Sequence, residues 1–454
     1  MRLLKLCLEL PQFRPTASAI SYGYLSTHKC HKEFSTVTDS QPLTLSYLQN
    51  SCGLPLESAI LASKKLRIYA THNPDSVLNL LKSHGLTQSH IKSLITNRPS
   101  LLLVDPDKTL KPNLELFRTL GFSTTSLAKL LNMQPKVLEV DAPAVVDFFR
   151  ASNFAEKQIA TLTIKRPALY LFNAQKKFKP KIECFESLGF SATEISKILS
   201  TEPAILERSL ENQIKPSISI LRDILGNDKD IVEVIKKNYR ILEINLDEVL
   251  VPNISLLVSH GVPKELCLKI FLIEPKSLLV RGPRFGEIVN EVINLHFDPN
   301  NLLFVLAVRS MAIMSKTLWE KKLEAFGSFG LSRDEIYSAF KLQPMCMICS
   351  EKKIRKSMNF FVNKLSITPL TIAKNPNLLL LSLEKRIIPR CSVLQILMSK
   401  NLIKENISII YIFRMAELKF VEKIVTKYQD LVPNIVDAHQ GKIEFTGFLT
   451  DPKV

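Results

Sequence analysis

Residues 110–139 read LKPNLELFRTLGFSTTSLAKLLNMQPKVLE, and this stretch contains every signal of the unit from which the chain is built. In its first part the apolar residues recur every three positions, as on one face of a helix. Gly121 follows, and glycine readily takes the left-handed conformation that ends a helix. Ser123 is a favourable N-cap for a second apolar-faced helix, which Pro135 stops because proline has no amide hydrogen. The stretch predicts two helices followed by a short apolar 3₁₀-like turn.

The same pattern recurs along the chain, and one helix-ending residue marks each unit. Successive marks lie 32 to 37 residues apart. The marks are Gly85, Gly121, Asn153, Gly189, Gly226, Gly261, His296, Gly330, Ser366 and Asn401. Fourteen residues after six of these marks comes a proline, namely Pro99, Pro135, Pro167, Pro203, Pro275 and Pro344. The chain is therefore an array of repeats.

One helix pair cannot bury its apolar faces alone, so neighbouring units must stack. The predicted fold is all-α: an α-solenoid, or superhelix, of about nine to ten helix–helix–3₁₀ repeats of 32–37 residues, with a continuous core and a concave face. Units at Tyr239, Ser310 and Pro376 depart from the pattern and are expected to be irregular. The low glycine content, 13 of 454 residues, also favours helices over tight β-turns and nucleotide-cradling loops.

The ends of the chain differ from the repeats. Residues 1–40 open with the apolar and basic string MRLLKLCL and are rich in Ser and Thr, which predicts a cleaved organellar transit peptide, here mitochondrial with the chloroplast as the alternative. A merely basic terminus is the competing interpretation. Residues 41–434 are predicted to form the repeat domain, and 435–454 a C-terminal tail.

The sequence offers little for catalysis. It has no phosphate loop ending in Gly-Lys-Ser/Thr, no dinucleotide fingerprint, no His-Glu-x-x-His and no Gly-x-Ser-x-Gly. Cys346 and Cys349 have metal-like spacing, but no matching second pair completes a site, so both are interpreted as core thiols. Trp319 is interpreted as a core anchor. We expect a monomeric protein that is not an enzyme and has no cofactor, metal, membrane span or small-molecule substrate.

The basic residues are the informative set, because 60 Lys and Arg against 43 Asp and Glu give a net charge of +17. Lys111, Lys179 and Lys215 each precede a proline predicted to open a first helix, where exposed amides and the helix dipole suit phosphate. Arg118 and Arg222 lie two turns further on. These five form the first-helix row. The helix-end row lies near the helix-stopping prolines and comprises Arg98, Lys165, Arg166, Lys236, Lys237, Arg240 and Arg309.

Three stretches, 110–139, 178–207 and 251–280, resemble repeats of the mitochondrial transcription termination factor (mTERF) family, particularly its plant branch. The resemblance covers roughly residues 41–434 and rests on the coupled Gly, Ser/Thr cap, Leu-Leu and Pro-x-x-Leu marks. Pentatricopeptide and tetratricopeptide arrays have similar periods, but the regular prolines argue against both.

The resemblance implies binding of double-stranded DNA or organellar RNA, with roles in transcription termination, transcript processing or intron splicing. Phosphate neutralisation by the basic residues would supply most of the affinity. The alternative is a protein–protein scaffold with an acidic partner, because α-solenoids also bind peptides.

Overall fold

The structure is a computed structural model that describes residues 40–403 and 408–448. The transit-peptide prediction for residues 1–40 lies outside these residues except for Ser40, as does the end of the predicted tail, 449–454. Within the described ranges the regular structure is entirely helical. The all-α prediction is therefore confirmed.

The chain alternates long helices with short turns. In chain order the α-helices are α1 (Ser40–Asn50), α2 (Leu56–Ser63), α3 (His72–Ser83), α4 (Gln88–Asn97), α5 (Lys111–Thr119), α6 (Thr124–Met133), α7 (Ala142–Ala151), α8 (Glu156–Lys165), α9 (Ala174–Lys177), α10 (Lys179–Ser187), α11 (Ala192–Thr201), α12 (Ala204–Glu207), α13 (Lys215–Leu225), α14 (Asp228–Lys237), α15 (Leu246–Ser259), α16 (Lys264–Ile273), α17 (Gly282–Asn294), α18 (Leu302–Ala312), α19 (Lys316–Gly327), α20 (Arg333–Leu342), α21 (Glu351–Leu365), α22 (Pro369–Lys374), α23 (Ile388–Ser399), α24 (Ile409–Arg414), α25 (Glu417–Phe420) and α26 (Ile435–His439). The 3₁₀ turns are Pro99–Leu103, Pro135–Leu138, Pro167–Leu171, Tyr239–Glu243, Pro275–Leu278, Pro344–Ile348 and Pro376–Leu380. Wider π turns are Pro106–Leu110, Leu210–Ile214, Leu383–Ile387 and Val421–Thr426.

The left-handed marks define the units as predicted. All ten marks have a positive φ, between 53° and 93°. In the sequence, Ser191 and Ser332 are each followed three residues later by a glutamate, which is the signature of a capping box, and the structure has both boxes, each with the glutamate bonded back to the cap. Gly53, with φ of 71°, adds a further helix pair, α1 and α2, before the first predicted unit. That pair lacks the proline fourteen residues on, since position 67 is Arg67.

Successive units stack in layers. Second helices contact second helices, as α4 contacts α6 and α8 contacts α11, while first helices such as α15 and α17 contact one another. Aromatic rings join the units: Phe117 packs against Tyr170 of the next unit at 5.7 Å between ring centroids, and Phe149 stacks on Phe178 at the same distance. The core is therefore continuous across units, as expected for a solenoid.

A buried asparagine fastens the first helix of several units to the turn that closes the same unit. The Asn113 amide donates hydrogen bonds to the carbonyls of Leu138 and Val140, at 2.9 and 2.8 Å. Asn253 does the same to Leu278 and Val280 at 2.9 and 2.7 Å. Asn73 repeats the contact in the first predicted unit. We call this contact the asparagine clamp; it satisfies turn carbonyls that helix geometry leaves unpaired.

Of the three units that depart from the sequence pattern, two are irregular in the structure; the unit of Tyr239 is regular, because α14 has ten residues and the 3₁₀ turn Tyr239–Glu243 follows it, so the expectation was wrong there. Helix α18 continues through Ser310, whose hydroxyl donates to the carbonyls of Leu306 and Pro344. In the unit of Pro376 the second helix, α22, is only six residues long. Trp319 is a core residue as predicted, 5% exposed and packed edge-on against Phe340.

The segment predicted as a tail begins with packed structure. Helix α26 contacts α23, and Ile435 and Ala438 are fully buried. Among the described residues no single helix is long and apolar enough to cross a membrane. Helices α18 and α19 reach the length and apolar composition of a membrane span only when taken together, and they are bent by 108° at their junction.

Candidate nucleic-acid interface

Lys111, Lys179 and Lys215 are the first residues of α5, α10 and α13, but a helical turn precedes each of them. Helical backbone reaches Lys111 from Pro106, after an N-cap at Asp105 whose carboxylate accepts from the amides of Asp107 and Lys108. The turns before Lys179 and Lys215 likewise begin at caps, Asn173 and Ser209. The expectation that Lys111, Lys179 and Lys215 meet the positive end of a helix dipole is therefore wrong.

For Lys111 and Lys215 the reason lies in the prolines that follow them. Pro112 cannot donate to the preceding turn, and its ring needs space there. The helical turn just before Pro112 contains one extra residue, so that the amide of Leu110 donates to the carbonyl of Asp105, five residues earlier, at 3.3 Å. Ile214 bonds to Ser209 in the same way before Pro216, at 3.1 Å. A π turn thus allows proline inside a longer helix.

All five side chains of the first-helix row are exposed, but their surroundings differ. Lys215 forms an ion pair with Glu211 at 2.6 Å, and Arg222 with Asp228 at 2.8 Å. Lys179 lies 3.9 Å from Glu183, in a groove that Glu186 also lines. Lys111 and Arg118 form no ion pair with any described residue. Within this row these two cations on α5 are the ones left available to an external anion.

The helix-end row instead connects neighbouring units. Arg98 binds both carboxylate oxygens of Glu139 in the next unit, each at 2.8 Å. This contact raises the pKa of Arg98. Arg240 reaches back to Glu202 at 2.7 Å. The same kind of bridge occurs for the following pairs: Arg166–Glu207 at 3.6 Å, Lys236–Glu194 at 2.7 Å and Arg309–Glu274 at 3.9 Å.

Two lysines of the helix-end row, Lys165 and Lys237, cap helices in the next unit. The Lys165 ammonium donates to the carbonyls of Ser200 and Thr201, at 3.3 and 2.6 Å, in the last turn of α11. Lys237 donates to the carbonyl of Leu272 in the last turn of α16. Cations at helix C-termini complement the dipole. The helix-end row therefore holds the stack together, and its charges already have partners.

Two groups of free cations were not singled out from the sequence. Lys129, Lys197 and Lys269 are exposed on second helices, each eight residues after a glycine mark, and none forms an ion pair with a described residue. The fixed offset of eight residues from a glycine mark is the sequence signal that could have identified these lysines. They recur in every second unit, a spacing of roughly 20 Å if each helix layer adds 8–10 Å.

The larger group lies in the last quarter of the chain. Residues 341–454 contain eighteen Lys and Arg against nine Asp and Glu, a net charge of +9. Among the described cations of this segment, ion pairs with acids involve only Arg355, Lys356, Arg390 and Lys442. A count of charge along the sequence would have found this segment.

The cysteine pair shows no metal-site geometry. Cys346 is 1% exposed, and burial raises its pKa to about 12. Cys349 donates to the carbonyl of Leu379 at 3.3 Å. Within the described ranges no group of three or more His, Cys, Asp or Glu residues could hold a metal ion.

Stacked helix pairs closed by short turns define a helical-repeat solenoid. In this solenoid, cations without acidic partners lie on second helices and in the last quarter of the chain. The sequence model of the mTERF family matches residues 78–150, 146–308 and 211–421, and the chain belongs to this family. It is a non-enzymatic family of repeat proteins that generally bind nucleic acid and regulate organellar gene expression. No curated protein sequence matches the chain.

Proposed function

We propose that this protein acts as a monomer that binds double-stranded DNA or organellar RNA along a basic concave groove. In this role it regulates transcription termination, transcript processing or intron splicing in an organelle. The observation that carries the proposal is the net charge of +9 over residues 341–454, most of it without acidic partners among the described residues. When a free side-chain cation contacts a phosphate, counterions condensed on the nucleic acid are released, and this release favours binding.

Lys111 and Arg118 extend the proposed surface toward the N-terminal units. They are two turns apart on α5, about 10.5 Å along the helix axis. A cation that already holds a carboxylate gives up that contact when it binds phosphate, whereas a free cation gives up only water. The structure therefore favours Lys111 and Arg118 over Lys179, Lys215 and Arg222 as phosphate contacts.

The test is a comparison of two double variants with the same change in charge. Lys111→Gln/Arg118→Gln removes the free pair, and Lys215→Gln/Arg222→Gln removes the ion-paired equivalents on α13. Affinity for a labelled DNA duplex and a single-stranded RNA is measured against salt by fluorescence anisotropy. For the first variant we expect affinity to fall roughly tenfold and the salt slope to flatten by up to about 0.9 per lost duplex contact. The second should keep the parent's slope.

One outcome would contradict the proposed function, and another would contradict only the assignment of phosphate contacts to α5. If the parent protein binds neither probe at low salt, it is not a nucleic-acid-binding protein of this kind. If Lys111→Gln/Arg118→Gln keeps the parent's slope, α5 lies outside the interface and the contacts must be sought on the second-helix lysines.

The organellar site of action is tested separately. Residues 1–40, fused to a fluorescent reporter, are expected to direct it into mitochondria. Import into chloroplasts would favour the alternative organelle, and a cytosolic or nuclear reporter would contradict an organellar role.

One observation favours the scaffold function as a second candidate. Large apolar side chains are exposed on the first helix pair and just after it: Leu56 is 54%, Leu61 60% and Tyr69 72% exposed. Exposed apolar clusters mark protein contacts in many soluble proteins. Co-purification of a stoichiometric protein partner that Leu61→Asp releases would support this candidate.

A further inference from the structure

An open groove of about 630 Å³ lies beside α24, near the C-terminal end of the described repeats. Its lining mixes three kinds of side chain. Tyr411 presents an aromatic ring that is 57% exposed, Ile410 and Met415 are apolar, and Arg414 and Lys419 are basic. Neither Arg414 nor Lys419 forms an ion pair with a described residue. An exposed aromatic ring and two cations without acidic partners therefore line the same concave site.

Two arginines behind the groove fix its wall. Arg386 donates hydrogen bonds to the carbonyls of Phe413, Arg414 and Met415, at 3.1, 3.3 and 2.5 Å. Arg390, only 1% exposed, donates to the carbonyl of Met415 at 2.7 Å. These bonds hold the chain where α24 ends and turns toward α25. The groove is thus preformed, which lowers the entropic cost of binding a ligand.

The charge around the groove is positive. Glu417, which follows the groove residue Ala416 in the sequence, has its two carboxylate oxygens engaged by Arg390 at 2.6 Å and by His439 at 2.7 Å. That carboxylate is therefore compensated, while Arg414 and Lys419 are not. The site is suited to an anionic ligand.

Resting on the nucleic-acid-binding function proposed above, we propose that this groove binds an unpaired nucleotide of single-stranded RNA or DNA. The base stacks on the ring of Tyr411, and the flanking phosphates contact Arg414 and Lys419. Stacking on an aromatic side chain is tolerant of sequence, because every base has a flat π face. A base pair inside a duplex hides those faces, so the groove favours a strand that has left the duplex. An acidic peptide would use the cations but not the ring.

The test uses the full chain and three probes: a blunt DNA duplex, the same duplex with a single-stranded DNA extension of about ten nucleotides, and its counterpart with an RNA extension. Tyr411→Ala should weaken binding of the extended probes by roughly 5- to 150-fold, the range that stacking energies imply, and leave the blunt duplex unaffected. Tyr411→Phe should retain the parent's affinity because it keeps the ring. Met133→Ala, at an apolar side chain that is 51% exposed and lies far away along the chain, is the control and should behave as the parent.

A second variant tests the phosphate contacts. Arg414→Gln/Lys419→Gln should flatten the salt slope for the extended probes by up to about 0.7 per lost single-strand contact. Comparing the loss of affinity for the probe with the DNA extension and for the probe with the RNA extension shows whether the groove prefers DNA or RNA.

The outcomes separate this inference from the function on which it rests. If the parent binds the blunt duplex and Tyr411→Ala binds both extended probes as the parent does, the groove proposal is overturned and the general function stands. If the parent binds none of the three probes, both are overturned.

Discussion

The asparagine clamp allows a sharp test of what holds a unit together. Asn113 is 2% exposed, and its amide donates to two carbonyls, one of them on the fully buried Leu138. Asn113→Ala removes both bonds and leaves buried acceptors without these donors. At about 1 kcal/mol per lost bond, with an added penalty for unsatisfied buried groups, we expect a loss of about 2–4 kcal/mol. Asn113→Asp should cost more, because a buried carboxylate would then face two carbonyl oxygens.

Hydrogen exchange measures this loss where it occurs, which suits a repeat array that need not unfold in a single step. Amides of the turn Pro135–Leu138 in Asn113→Ala should exchange at least about tenfold faster, since 1.4 kcal/mol corresponds to a factor of ten. Amides of α16, several units away, should be unchanged. Asn132→Ala is the control, because that exposed side chain only accepts a bond from Ser93 in the same region of the chain. Parent-like exchange in Asn113→Ala would refute the clamp.

Two further predictions concern other parts of the core. Pro203→Ala should lower the midpoint of urea unfolding by the equivalent of about 1–2 kcal/mol, because the variant loses a rigid buried residue that positions the fully buried Ile205 and Leu206. An unchanged midpoint would mean that the proline has no architectural role. Burial lowers the pKa of Lys181 to about 8. Between pH 8 and roughly pH 10.5 the unfolded chain therefore holds a proton that the folded chain has released, and the free energy of unfolding rises with pH. The stability gained by Lys181→Met over the parent should therefore be largest below pH 8 and should shrink toward pH 10.5, as followed by urea unfolding at several pH values; a gain that does not vary with pH would contradict the assignment.

The repeat architecture could be predicted because its signals are local. A positive φ at Gly121 or Asn153, the capping box at Ser191 and the stop at Pro135 depend on a few neighbouring residues, and each was where the sequence placed it. The period between such marks then gave the fold, because helix pairs of this kind can bury their apolar faces only by stacking.

Helix boundaries at the prolines were a harder case. Pro112 was expected to open its helix, because proline is common at the first helical position. The π turn before it, with its own cap at Asp105, extends the helix instead. The cap residues were present in the sequence, but a proline about two turns later concealed them.

Charge pairing depends on contacts between units, so it could not be predicted from local sequence. Arg98 and Glu139 are 41 residues apart in sequence and meet because their units stack, which turns a candidate phosphate contact into a bond between repeats. Lys111 and Lys215 occupy equivalent positions, yet only Lys215 has a glutamate one turn before it within reach. The sequence by itself determined the repeat, its helix ends and its net positive charge, because these depend on residue type and local spacing. Which cations remain free for a ligand depends on distances across units, and those exist only once the units have stacked.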